Sequence, residues 1–208
     1  LEKLEKNVLE RDYELALVRQ TIGYAYLQKP DYKKAMRYFE LALAVNVLPA
    51  GPTKQLMYNI AQIHITEGRY KVGKQKLLEW FHVSEKPTPQ SYILMATVLM
   101  EQGKKKDALE YVESAIATTN SPQESWLRFS VAINLQLKNY RSAAKSLELL
   151  TAQFPQKKMY WKQLSGVYLN LDETEKSLAA LDLAHKWGHL EEEQELLNLV
   201  SLYMMRGY

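Results

Sequence analysis

The residues whose types and spacing could do chemistry are few. His185 and His189 stand four apart, the spacing that sets two imidazoles on one face of a helix and holds a metal in many helical sites. Glu191, Glu192 and Glu193 follow closely. Gly188 between the two histidines is expected to end the helix and split the shared face, which makes the cluster a structural loop. The three glutamates then read as a solvated helix start, where negative charge is favoured by the helix dipole. The sequence has no phosphate-cradling glycine loop, no HExxH helix and no glycine-flanked serine elbow. With no cysteine there is no disulfide, thiolate metal site or thiol nucleophile. No catalytic residue, cofactor or metal is expected, and the chain reads as something other than an enzyme.

Composition narrows the field further. Of 208 residues, 47% are hydrophobic and 25% charged, with a net charge of +3. That charge is too small for a nucleic-acid binder, which needs a dense basic patch interleaved with stacking aromatics. No apolar run approaches the length of about 18 residues that spans a bilayer. The chain opens on Leu1 with no charged segment leading into an apolar one, so it reads as a fragment of a longer protein whose compartment composition leaves open.

The elements that must position any site come from a repeat. Gly23, Ala61, Ala96, Ser130, Ser165 and Val200 form one series of small residues, and Ala35, Gly73, Ala108, Ala143 and Ser177 form a second. Both recur at a step of about 35, the period of paired-helix solenoid units. The spacing predicts first helices over about 13–28, 54–67, 90–102, 123–137, 158–171 and 191–205, and second helices over about 32–46, 70–84, 104–119, 140–153 and 174–187. Gly68, Gly103 and Gly207 are expected to close first helices with positive φ. All seven prolines are expected between helices, and Pro49, Ala50, Gly51 and Pro52 as a loop. Asp12 is the expected N-cap of the first full helix, with residues 1–12 the tail of a preceding one. Tyr140 and Ala143 arrive one residue late, which predicts an extra residue in the turn near Lys138. Trp126 and Trp161, one repeat apart, and Trp80 and Trp187 on second helices are all expected in the core.

The stretches WKQLSGVY (161–168), IGYAY (22–26) and YKKAMRYFELALA (32–44) resemble the tetratricopeptide repeat family. The resemblance implies an all-α, right-handed solenoid, five helix pairs plus one unpaired helix in one module over 1–208, with repeats at about 13–48, 54–86, 89–120, 123–155 and 158–188. It also implies a module for binding proteins. His64 falls where the repeat usually has Tyr, so it reads as a hydrogen-bonded core histidine. Two longer stretches, 77–90 and 160–207, resemble gammaproteobacterial periplasmic repeat proteins encoded beside TonB, ExbB and ExbD. That resemblance implies a periplasmic accessory of TonB-dependent iron or haem uptake. The alternatives are an envelope or pilus assembly scaffold and the recruiting arm of an enzyme whose catalytic domain lies outside the fragment.

Two surfaces are expected to carry function. The repeat register sends Gln20, Tyr24, Leu27, Tyr58, Asn59, Gln62, Ile93, Thr97 and Met100 to the concave face, joined by Lys162, Gln163, Leu169, Gln194, Asn198 and Ser201 from repeats five and six. Amides, aromatics and methionine suit a peptide of mixed polarity. The lysine, asparagine and arginine clamp of chaperone-binding members is absent: Asn59 matches one position, but repeat one offers Gln20 and Tyr24 and repeat three Gln90 and Leu94. The second surface is a basic ridge of Lys33, Lys71, Lys106 and Arg141 at the start of successive second helices, where the helix dipole opposes a cation. An acidic protein segment or an anionic membrane surface would suit it. Finally, Leu196, Leu199, Val200 and Tyr203 are expected on a face that a second helix of repeat six would cover, which predicts self-association through 191–208.

Overall fold

Chain punctuation sets the architecture. The computed structural model describes residues 11–205 and 207; residues 1–10 of the expected helix tail lie outside the described residues. Eleven α-helices and no strand occur among them: α1 Asp12–Gln28, α2 Tyr32–Ala44, α3 Ala50–Thr66, α4 Tyr70–Val83, α5 Pro89–Glu101, α6 Lys105–Ala117, α7 Glu124–Gln136, α8 Tyr140–Gln153, α9 Lys158–Leu169, α10 Thr174–Lys186 and α11 Glu193–Met205. The chain forms two compact units, Leu1–Gly103 and Lys104–Tyr208, and within each unit every helix packs on the next in sequence. Each unit is an all-α helical-repeat stack.

Four of the five turns inside the hairpins share one geometry. A left-handed residue sits two places before the second helix: Gly68 (φ 74), Gly103 (φ 72), Lys138 (φ 58) and Asp172 (φ 58). The following amide reaches back to a carbonyl of the first helix, Arg69 to His64 at 2.8 Å, Asn139 to Asn134 at 2.8 Å and Glu173 to Tyr168 at 2.9 Å, which satisfies groups that a helix end leaves orphaned. Lys138 holds the place that Gly68, Gly103 and Asp172 hold in the other three turns, so the turn contains no extra residue, contrary to the sequence expectation. Instead the register within α7 shifts. Counted back from the left-handed residue, Trp126, Leu127, Ser130, Val131, Ile133 and Asn134 match Tyr160, Trp161, Leu164, Ser165, Val167 and Tyr168, and all twelve are buried. Leu127, not Trp126, is the counterpart of Trp161, and Val131 takes the small-residue place.

Three further expectations are corrected. Ala50, Gly51 and Pro52 are helical, with Pro49 as N-cap; Pro52 costs nothing there because first-turn amides have no helical partner. Pro89 likewise opens α5. Asp12 is the first residue of α1 and Arg11 its N-cap, with no side-chain cap bond; the Asp12 carboxylate sits near the positive end of the helix instead. Trp187 is 55% exposed. It follows the end of α10, Gly188 turns the chain at φ 70, and Leu190 fills the next core place.

Burial on α11 divides cleanly. Glu195, Leu199 and Leu202 are buried, while Leu196, Leu197, Val200, Met204 and Met205 are exposed. Leu199 therefore belongs to the core of its unit and not to the uncovered face. Trp126, Trp80 and Trp161 are buried as expected, and the Trp161 indole Nε1 donates to the Pro155 carbonyl at 2.8 Å. Replacing Trp161 by Ala is expected to cost on the order of 3–5 kcal/mol through the cavity it leaves; urea unfolding of parent and variant, compared at constant m-value, measures it.

Candidate functional site

In the first unit the expected groove residues divide between an ordered tie and an open face. Asn59 on α3, expected on the open groove, is buried. Its Nδ2 donates to the Tyr24 hydroxyl at 3.2 Å, and its Oδ1 accepts from Gln55 Nε2 at 3.0 Å. The asparagine thus couples α1 to α3 and does not offer itself to a ligand. Tyr58 beside it is half-buried, its ring 5.1 Å from that of Trp80, and burial pushes its hydroxyl pKa up. Gln62 is exposed one turn on, while Gln20, Leu27, Ile93, Thr97 and Met100 are half-buried. Leu27 packs against the core cluster of Phe39, Leu56 and Ile60. Thr97 spends its hydroxyl on the Ile93 carbonyl at 2.9 Å.

The second unit gathers Lys162, Leu169, Asn198 and Ser201 around one cavity of about 460 Å³, between α9 and α11. Gln163 and Gln194, expected with them, are exposed outside it, though Gln194 Nε2 donates to Asn198 Oδ1 at 3.1 Å. At the rim Lys162 Nζ meets Glu195 Oε1 at 2.6 Å. The other carboxylate oxygen accepts the amides of Glu191 at 3.0 Å and Glu192 at 3.3 Å. Glu195 is thus the third helical residue reaching back over the start of its own helix. The Lys162 ammonium first, then these amides, hold its pKa down at about 2; the same bond raises Lys162. Sequence reasoning missed Glu195, although a glutamate three residues after the helix entrance is the available signal.

Elsewhere His64 and His189 are held within the fold. His64 is buried with its Nδ1 unpartnered, and burial, then the nearby Arg69, lowers its pKa; the hydrogen bond expected of this side chain is absent at Nδ1. His189 lies 2.9 Å from the Pro155 carbonyl. Among the described residues no group of three or more His, Cys, Asp or Glu could hold a metal ion, and no helix is long and apolar enough to cross a membrane. Lys33, Lys71, Lys106 and Arg141 are all exposed, each the second residue of its helix.

A tetratricopeptide-repeat family model matches residues 16–46. No curated protein matches the sequence. Solved structures similar to this chain include YrrB, described as a TPR protein with an unusual peptide-binding site (16% identity, TM-score 0.67, 94% of this chain and 96% of that one). Another is the Naa15/Naa10 complex bound to HypK-THB (15%, TM-score 0.70), of which 92% of this chain covers only 29% of that chain. A third is MamA from Desulfovibrio magneticus RS-1 (12%, TM-score 0.62, 86% and 97%). These likenesses establish the fold.

The Glu195 linkage gives a pH prediction. A depressed carboxylate pKa contributes stability that is present above the unfolded value near 4.5 and is lost as pH falls toward about 2. Thermal melts between pH 6 and pH 2 should show the parent losing more stability than Glu195→Gln across that window; parallel curves would remove Glu195 as the group responsible.

Proposed function

Because the chain is a tetratricopeptide-repeat protein, we propose that it is a non-enzymatic protein-interaction module that binds a partner peptide on the faces of its first helices. The observation that carries this reading is the Gln55–Asn59–Tyr24 tie. It fixes two neighbouring first helices and leaves Tyr58 and Gln62 on a held platform, with rigid aromatic area and directed hydrogen bonds. The basic residues Lys33, Lys71, Lys106 and Arg141 supply a salt-screened field that speeds encounter with an acidic segment or an anionic membrane surface.

The partner we propose is a component of a TonB energy-transduction system, met in the periplasm. The likeness of 77–90 and 160–207 to repeat proteins encoded beside such systems supports it. Purified periplasmic domains of TonB and ExbD are the probes. One of them should bind the parent chain; Tyr58→Ala with Gln62→Ala should raise the dissociation rate, and Lys71→Glu with Lys106→Glu should slow association at low salt only. Parent-like kinetics in the first variant would remove specificity from these faces. Failure of both domains to bind would remove the TonB reading alone.

The exposed apolar side of α11 supports self-association as well. Light scattering at increasing concentration should show a mass increase that Leu196→Glu with Val200→Glu abolishes; a strict monomer throughout would refute it.

A further inference from the structure

Beyond the first turn of a helix, one glycine has no steric reason to be a glycine. Gly166 lies inside α9, where glycine is less favourable than alanine. Its φ is not in the left-handed region, and a Cβ added there would meet no atom within 4 Å. Gly23 and Gly73 differ in kind: a Cβ would stand 2.5 Å from the Phe39 ring in one case and 2.5 Å from Ile65 in the other. Gly68, Gly103, Gly188 and Gly207 are held by positive φ, and Gly51 lies in the first turn of α3. What Gly166 does is line the cavity between α9 and α11. Its missing side chain is room inside that cavity.

The rest of the lining says what the room fits. Leu169, Leu181, Leu190, Leu202 and Met205 make apolar walls. The polar groups are already satisfied from within: Ser165 bonds Ser177 at 2.7 Å, Ser201 donates to the Leu197 carbonyl at 2.8 Å, and Lys162 and Glu195 hold each other. Asn198 is the exception. Its Oδ1 is taken by Gln194, and its Nδ2 is a donor that a peptide carbonyl can use. A pocket of this kind rejects a charged group and accepts an apolar one. Its surroundings carry the opposite message. Lys158 lies 3.9 Å from Glu191 and Lys162 pairs with Glu195, which leaves the charge of Glu192, near enough to act on Lys162, in excess. The rim is therefore acidic.

We propose that this cavity is an anchor pocket for one large apolar side chain, Leu, Met or Phe, of a partner peptide that carries lysine or arginine beside it. The inference rests on the peptide-binding reading above and adds the chemistry of the bound segment at a site in the second unit. Gly166 is the specificity-determining residue, through the space it leaves.

The test uses acetylated, amidated hexapeptides with a central Leu, Met or Phe between two lysines, titrated into the chain labelled at Leu and Met methyls and Tyr rings. Peptides should shift Leu169, Leu202 and Met205; an Ala-centred peptide should not, and flanking glutamates should weaken binding, with the difference shrinking at high salt. Gly166→Leu should lower affinity at least tenfold. Gly166→Ala should bind more weakly yet melt no lower than the parent, higher by up to a few degrees. Parent-like binding by Gly166→Leu, equal binding of the Ala-centred or glutamate-flanked peptide, or a lower melting temperature for Gly166→Ala would overturn the proposal. Shifts at Tyr24 and Tyr58 alone would sink it while leaving the peptide-binding reading standing; shifts nowhere would sink both.

Discussion

The close approach of two backbones within each helical hairpin is the constraint on which this structure depends. At Gly23 the space a Cβ would need is occupied by the Phe39 ring, and at Gly73 by Ile65. At Ser165 and Ser177 the two side chains are small enough to meet by a single hydrogen bond of 2.7 Å. Helices of this length do not hold in water by propensity alone, so hairpin contact and stacking must supply the stability. Small residues at the hairpin seam let the larger ones, Phe39, Leu77 and Leu147 among them, be fully buried. The last helix shows the two requirements separately. Glu195, Leu199 and Leu202 of α11 are buried, whereas Leu196 and Val200, on the face that in other hairpins meets a second helix, are open.

That division explains how the candidate faces are built. Residues on the first helices sit between two packed faces and are held by both, so their side chains begin with little freedom. Where they are polar they are mostly satisfied internally: Asn59 by Gln55 and Tyr24, Glu195 by Lys162 and two amides. Tyr160 and Lys157 hold Glu124 in the same manner, the Tyr160 hydroxyl being pushed up to about 12 by burial first and by that carboxylate second. Such groups build a preorganised surface more than they bind, because a ligand gains little from an atom whose bond is already made. Recognition then falls to shape and to the few donors left over.

The helices were legible because the chain marks them twice, by small residues at the seam and by left-handed residues at the turns. Errors came where one mark was missing. Lys138 does the work of glycine at φ 58, at a conformational cost of roughly 1–2 kcal/mol for a residue with a Cβ. Without a glycine there, the apparent offset of Ala143 was assigned to the turn when it belonged to Ser130 and Val131. Pro52 and Gly51 looked like a loop because breakers in the first turn of a helix read the same as breakers outside one. Trp187 has the residue type of a core position but follows the end of its helix. Of the candidate site, Lys162, Leu169, Asn198 and Ser201 were found by repeat register alone, because register fixes direction. Gly166, Leu190 and Glu195 escaped it: a cavity is defined by what is absent, and an ion pair across neighbouring repeats depends on two registers at once.

Register also bears on the basic residues. Lys33, Lys71, Lys106 and Arg141 each occupy the second place of a second helix, and the same place in α10 holds Glu175. An acid there is the choice the helix dipole favours, and a cation opposes it by a few tenths of a kcal/mol to about 1. The architecture therefore accepts either sign at this place, and folding alone favours the acid. Four cations at equivalent places act against local helix stability, each by a small amount, so the helices that carry them do not account for them. The field proposed above is of another kind: it requires no fixed side-chain geometry, survives the loss of any one member, and reaches about a Debye length into solvent.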